Sequence, residues 1–416
     1  MPEDVKRSVF IKPEARVKII FFLDRRWMLA TTVMAWLLTS LLSLAASETV
    51  GAQESNFSQR AGFAAWRERQ RSQARVADAR ERVLLNRYRP RFMLPPNHPG
   101  PIDFYADYMA SGQLQLGDGR LLDAPIDAET LNTHRRDPYA TFVHIAPAAS
   151  STDIPAVIYA RTDRLPVSAQ GQTQSMTVLT WHAVFRHSGL PAGVEGLRAL
   201  LASAVGDLHD WHQLDHYTAV SLILGAQRQP VALAMQQHNY MRTFLLGEQI
   251  LLPPDGRAII DVAVRSNELF PAQAGGQWRR AVRFADADGM RYLLGFGPQP
   301  TMAARDFTHG VAEARYELEF LRTDDAFYSF QGFLGERRLL PGRDGPPGAG
   351  YNIVPGLKPL ELQLFAGYWR EDSKGDLQRY EQFAVRGGSR RAFAQAQREV
   401  FLKNLDCLRR NGKVCL

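Results

Sequence analysis

Hydrophobic and polar positions change their spacing three times along this chain of 416 residues. Arg25 and Arg26 precede an uncharged, mostly apolar stretch from Trp27 to Leu44. Between positions 57 and 87 the apolar residues are sparse until Val83, Leu84 and Leu85, proline is absent, and most residues favour helix. That composition predicts one long helix over 57–87, polar around most of its circumference. From Tyr88 onward, short runs rich in Val, Ile, Thr and aromatic residues take over. They are "ATFVHIA" (140–146), "PAVIYARTDRL" (155–165), "SMTVLTWHAVF" (175–185), "YTAVSLIL" (217–224), "PVALAMQQH" (230–238) and "AIIDVAV" (258–264). Such runs, separated by Gly, Pro and Asp, predict strands.

Further strand candidates are "MRYLLGFG" (290–297), "YELEFLR" (316–322) and "ELQLFAGYW" (361–369). After Tyr88, helical spacing is confined to a short segment near 102–111, an insertion at 193–206, and the end of the chain at 389–409. The segment 341–356 is a loop by its Gly and Pro content. The expected fold is mainly β: an antiparallel β-sandwich with peripheral helices, a long basic N-terminal helix and a C-terminal helix. Its expected divisions are a leader (1–52), a basic helical arm (53–87), the β domain (88–388), and a C-terminal helix with its tail (389–416).

Composition refines this picture in three places. The leader joins an arginine pair to an apolar run and then to "SETVGAQ", where Val50 and Ala52 are small residues placed for cleavage before Gln53. Export is therefore expected, to a periplasmic or extracellular location. An uncleaved signal anchor is the alternative, although the apolar run is slightly shorter than the about 20 residues a spanning helix needs. Charge is concentrated in the arm, where residues 58–91 carry ten Arg against three acidic residues. That face suits an anionic envelope surface or lipid, or simply solvent; export argues for no nucleic acid as partner. Cys407 and Cys415 are the only cysteines, and Asn411-Gly412 lies between them as a turn. In an oxidising compartment this spacing predicts a terminal disulfide.

The chemistry-bearing residues crowd into "HDWHQLDHYTAV" (209–220), which holds three His and two Asp ahead of an apolar run. Asp210, His212 and Asp215 are candidate ligands for a divalent cation. His212 and Asp215 are an odd number apart, so they converge only if 209–216 is a loop. Otherwise they hydrogen-bond backbone at the mouth of a strand. His238 ends a strand, and Asn267 follows another. His182 and His187, which flank an aromatic strand end, read as satisfied core residues; Trp181 and Trp211 read as core, with a sugar-stacking surface as the alternative. No G-x-S-x-G, phosphate-binding loop or H-E-x-x-H motif occurs.

The stretch from Tyr88 to Pro271 resembles the vacuolar protein sorting 62 family, which is itself similar to the necrosis-inducing cytolysins. The likeness rests on "YRPRF", "PIDFY", "WHAVFRHSGLP", "WHQLDHYTAVSLIL", the pair Gln237-His238, and "SNELFP", in that order. The family's central motif is H-x-H-D-W-E, and its His, Asp and Glu bind a divalent cation in the cytolysin branch. Here His212 and Asp215 keep the first and fourth positions. Leu214 replaces the second His, His216 the Trp and Tyr217 the Glu; Asn267 stands where the family has His. The resemblance thus implies a degenerate site that holds calcium or magnesium weakly, if at all, with His238, Asn267 and Tyr217 facing a small-molecule or glycan ligand. Losing a carboxylate removes the kind of ligand hard cations rely on. The expected function is an exported module that binds a ligand or envelope surface without turnover. The alternative is a cation-dependent hydrolase or a cytolysin-like lipid binder that uses His212 and Asp215.

Overall fold

The computed structural model describes residues 78–109, 112–122, 126–144, 155–169, 172–186, 214–237, 240–272, 310–321, 325–335, 364–365, 367–368 and 390–415. Its framework grows from the longest alternating runs. Strands β5 (Ala156–Ala169) and β6 (Gln172–Phe185) pair antiparallel along their length, from Ile158↔Ala183 to Ala169↔Gln172. β7 (Asp215–Leu224), β8 (Pro230–Gln237) and β9 (Tyr240–Leu245) extend the meander. β13 (Tyr316–Phe320) closes the other edge, giving a six-stranded sheet in the order β13-β5-β6-β7-β8-β9.

A four-stranded sheet of order β11-β10-β1-β12 is built from β1 (Arg91–Leu94), β10 (Ile259–Val262), β11 (Leu269–Pro271) and β12 (Ala312–Glu313). A three-stranded sheet comprises β3 (Leu121–Leu122), β2 (Gly112–Gln115) and β4 (Thr141–His144). The mainly-β expectation therefore holds.

Strand periodicity sends alternate residues to opposite faces. One face of the large sheet carries Ile158, Leu179, Trp181, Val220, Leu222, Leu233 and Phe244. These pack with Phe92, Ile260, Val262 and Leu269 of the four-stranded sheet in one shared core, which makes the sandwich. The opposite face is covered by two separate apolar clusters. At one end Tyr159 and Val184 meet Phe104, Phe142 and Phe327. At the other, Leu165, Val178, Ile223 and Ala232 meet Phe365, Tyr368, Phe401 and Leu405.

The last two residues lie on a 22-residue helix, Arg390–Asn411, labelled α4 after α1 (Ala79–Arg87), α2 (Ala128–Thr133) and α3 (Ala326–Ser329). Phe401 is fully buried, a side chain of the size that contributes roughly 1.5–3 kcal/mol on burial. Gly412 ends the helix in the left-handed region, at φ 66°, with its N–H on the Leu408 carbonyl at 2.9 Å. The chain then turns back, so that Cys407 and Cys415 form a disulfide with Cα atoms 5.7 Å apart.

Several expectations need correction. The sheets are not wholly antiparallel: β1 runs parallel to β10, and β13 parallel to β5. Both pairings join segments distant in sequence, which turn signals cannot encode. "YMRTFL" forms β9, an unexpected strand that pairs with β8 from Ala232↔Leu245 to Gln237↔Tyr240. Among the described residues of 361–369, Leu364 and Phe365 are helical and Tyr368 makes a β-bridge to Thr243. The helical segment near 102–111 is a π-helical turn, Phe104–Tyr108. The expected helix over 57–87 does not run through Asp78. That residue is non-helical (φ −49°, ψ 144°) and caps α1, its carboxylate accepting from the Arg80 N–H at 2.9 Å. The leader, the rest of the arm, the 193–206 helix and the 290–297 strand lie outside the described residues. Among the described residues no helix is long and apolar enough to cross a membrane.

Candidate functional site

One end of the six-stranded sheet collects buried polar groups from four separate stretches of chain. A bulge between Ala183 and Phe185 on β6 shifts the register, so that Phe185 faces Asp215 at the start of β7. The Ile102 N–H donates to the Val184 carbonyl at 2.8 Å, which ties the segment before the π turn to the same strand end. His98, earlier in that segment, packs edge-on against Phe185 with ring centroids 5.4 Å apart. From the other sheet, the loop joining β10 to β11 brings in Asn267.

These groups form a connected chain. The Gly100 N–H donates to His98 Nδ1 at 3.0 Å. Because Nδ1 accepts, the proton of the neutral ring sits on Nε2, which donates to Asn267 Oδ1 at 3.1 Å. With its oxygen so engaged, Asn267 directs its Nδ2 amide to Asp215 Oδ2 at 2.9 Å. Thr218 Oγ1 reaches the other oxygen, Asp215 Oδ1, at 3.3 Å. Asp215 and Asn267 are buried, at 5% and 3% exposure. Asn267 adopts φ 56°, a left-handed conformation that Asn tolerates better than most side chains. The tautomer of His98 therefore fixes the Asn267 amide, and the amide in turn occupies the Asp215 carboxylate.

A second carboxylate lies beside the same strand end. The π turn begins at Asp103, whose Oδ1 accepts from the Tyr105 and Ala106 N–H groups at 2.9 Å each and from the Tyr159 hydroxyl at 2.8 Å. Asp107, on the same turn, pairs with Arg186, the residue that follows β6. Burial raises the Asp107 pKa to about 6; Arg186 opposes the rise and the nearby Asp103 adds to it. Asp107 thus changes charge in mildly acidic solution, while it is held against a permanently cationic guanidinium.

Of the residues singled out in the sequence, Asp215 and Asn267 are brought into direct contact. The Tyr217 backbone lies in β7. Asp210, His212 and His238 lie outside the described residues. Among the described residues no group of three His, Cys, Asp or Glu side chains is placed to hold a metal. The Asn267 N–H and the Thr218 hydroxyl each engage one of the two Asp215 oxygens.

His182 and Trp181 are core residues, as expected from their aromatic surroundings. His182 is 3% exposed, with its ring 5.0 Å from Tyr328 and 5.9 Å from Phe327. Sequence reasoning missed His98, Thr218, Asp107 and Arg186. "DFYAD" spaces two carboxylates on one helical segment, which was a usable signal for Asp107. No local signal links His98 to a partner 169 residues away. Comparison with known proteins finds no family model, no curated protein and no solved structure that matches this chain.

Proposed function

We propose that this protein is an exported β-sandwich module that binds a ligand or an envelope surface at the polar end of its large sheet, without chemical turnover. The supporting observation is the connected chain His98–Asn267–Asp215–Thr218. A general base needs a nitrogen or oxygen facing substrate, and a cation site needs open carboxylate oxygens. Here both ring nitrogens of His98 and both oxygens of Asp215 already face protein groups. The resemblance to the vacuolar protein sorting 62 family supports the same reading, as a cation site that has lost an acidic ligand at Tyr217 and a histidine at Asn267. The ligand is then a small molecule or glycan recognised by hydrogen bonds, and the Arg-rich arm adds affinity for anionic lipid.

Calorimetric titration of the purified chain with calcium, magnesium and manganese tests the reading. Weak or absent heats are expected. Tight binding that disappears in Asp215→Asn would replace it with the alternative, a cation-dependent hydrolase or cytolysin-like lipid binder built on His212 and Asp215. For the arm, replacing Arg67, Arg69, Arg71 and Arg75 by Gln should abolish salt-sensitive binding to anionic vesicles. Unchanged binding would remove the arm from the proposal.

A further inference from the structure

β7 starts at Asp215 and runs for ten residues, so its far end lies roughly 30 Å from the polar chain. There Leu224 pairs with Pro230 of β8, and an open groove of about 340 Å³ lies beside Pro230. Pro230, Leu251, Leu252 and Pro254 give the groove apolar walls. Arg87 and Tyr88 line it too, the Arg87 guanidinium carbon 5.1 Å from the centre of the Tyr88 ring. Two tight turns fix the loop between β9 and β10 that forms the rim. The Gly247 N–H donates to the Ile250 carbonyl at 2.9 Å, and the Gly256 N–H to the Pro253 carbonyl at 2.8 Å. Ile250 is buried and Leu252 packs against the sandwich core, whereas Leu251 between them is 67% exposed.

A second exposed apolar side chain, Val83 at 66%, stands on α1. Val83 and Arg80 precede Arg87 by four and seven positions, so the three share a face of the helix. A lone exposed apolar residue needs no explanation. Two of them, both beside Arg87 and one apolar groove, make a patch. Arg228 is exposed in the turn that leads into Pro230, its N–H on the Gly225 carbonyl at 2.8 Å. Arg409, near the end of α4, reaches the base of the same turn, with Nη2 2.6 Å from where a Cβ would stand on Gly225. The acids of these segments are engaged. Asp406 on α4 is paired with Arg410, Glu248 accepts from the Tyr368 hydroxyl at 2.7 Å, and Asp255 accepts from the Arg257 N–H at 3.0 Å. The patch is thus apolar at its tips and basic around them.

We propose that this end of the sandwich docks on the surface of an anionic lipid bilayer. Leu251 and Val83 enter the boundary between headgroups and acyl chains, while Arg80, Arg87, Arg228 and Arg409 meet the phosphates. Such a surface is negative at its phosphates and apolar just below them, which is the chemistry that the patch complements. An enclosed small molecule fits less well, because the groove is open and near the lower limit of about 300 Å³ for ligand pockets. The Arg-rich arm leads directly into α1 in sequence, so one surface serves both. This docking face rests on the envelope-surface reading above, but it uses no residue of the arm's arginine cluster or of the His98–Asn267–Asp215 chain, and each can fail separately.

A fluorescent label at position 251 of the full chain tests the docking face. The two native cysteines are joined to each other, so Leu251→Cys supplies the thiol for a nitrobenzoxadiazole dye. With vesicles of equal parts phosphatidylglycerol and phosphatidylcholine, the dye should shift to the blue and be quenched by doxyl groups on the upper acyl chain. The same dye at Leu121→Cys, a 51% exposed position on the three-stranded sheet, should not respond. Arg87→Gln with Arg228→Gln should raise the lipid concentration needed for the shift roughly 25-fold, about fivefold per cation. Replacing Arg67, Arg69, Arg71 and Arg75 by Gln should leave the shift reachable at saturating lipid. Sedimentation of the chain with vesicles and no dye response at 251 would overturn this face and leave the arm's role standing. An equal response to pure phosphatidylcholine would overturn the charge match and the proposal with it. A shift that grows with protein concentration in the absence of vesicles would make a second copy of the chain the occupant instead.

Discussion

Replacing Asn267 by Asp is the sharpest probe of the buried chain at the sheet end. The substitution conserves shape and places a carboxylate where an amide now donates to Asp215 Oδ2 at 2.9 Å. The N–H···O contact becomes an O···O contact between two acids at 5% and 3% exposure. At an effective dielectric constant of about 20, two unit charges that close repel by about 5 kcal/mol. Relaxation reduces the cost, and protonation of one carboxyl removes it at the expense of a raised pKa. His98 can still donate to the new residue through Nε2, so the loss is confined to the Asp215 contact.

Urea unfolding should therefore show Asn267→Asp about 1–2 kcal/mol less stable than wild type at pH 5 and roughly 3–5 kcal/mol less stable at pH 8. A divalent cation added at pH 8 should restore part of that difference, since two facing carboxylates offer it charged oxygen ligands. Equal stability of variant and wild type at pH 8 without cation would refute the reasoning. It would mean that Asn267 and Asp215 do not share a dry site.

Three further outcomes are expected. Asp107 binds its proton more tightly folded than unfolded, with a pKa of about 6 against the ordinary 3.8. Its contribution to stability is fullest below that window and falls by up to about 3 kcal/mol as pH rises through it. Asp107→Asn should remove this slope between pH 4 and 6 in denaturant titrations, and an unchanged slope would assign it to other groups. Gly332→Ala would place a Cβ 2.2 Å from the Ala140 carbonyl oxygen and 2.8 Å from the Phe330 ring; a loss of roughly 1–3 kcal/mol is expected in thermal unfolding. Cys415→Ser opens a disulfide that spans eight positions at the end of α4. It should cost about 2 kcal/mol, with faster amide exchange confined to the last turns of the helix.

Runs rich in Val, Ile, Thr and aromatic residues were enough to locate β5 through β8, because strand preference is a local property of the backbone. The short loop between Cys407 and Cys415, with Gly412 at its turn, announced the disulfide for the same reason. Asp215 and Asn267 were expected at one polar end only from the resemblance of the motifs around them, and the two side chains are in contact. It did not show that His98 orients the Asn267 amide, since that contact spans 169 residues and depends on two sheets meeting face to face. The parallel pairing of β13 with β5 and of β1 with β10 was equally hidden, because hydrogen bonds between distant strands leave no trace in either strand's own pattern. Local periodicity decides what an element is and which way it faces; what its polar groups meet is decided by chain brought in from elsewhere.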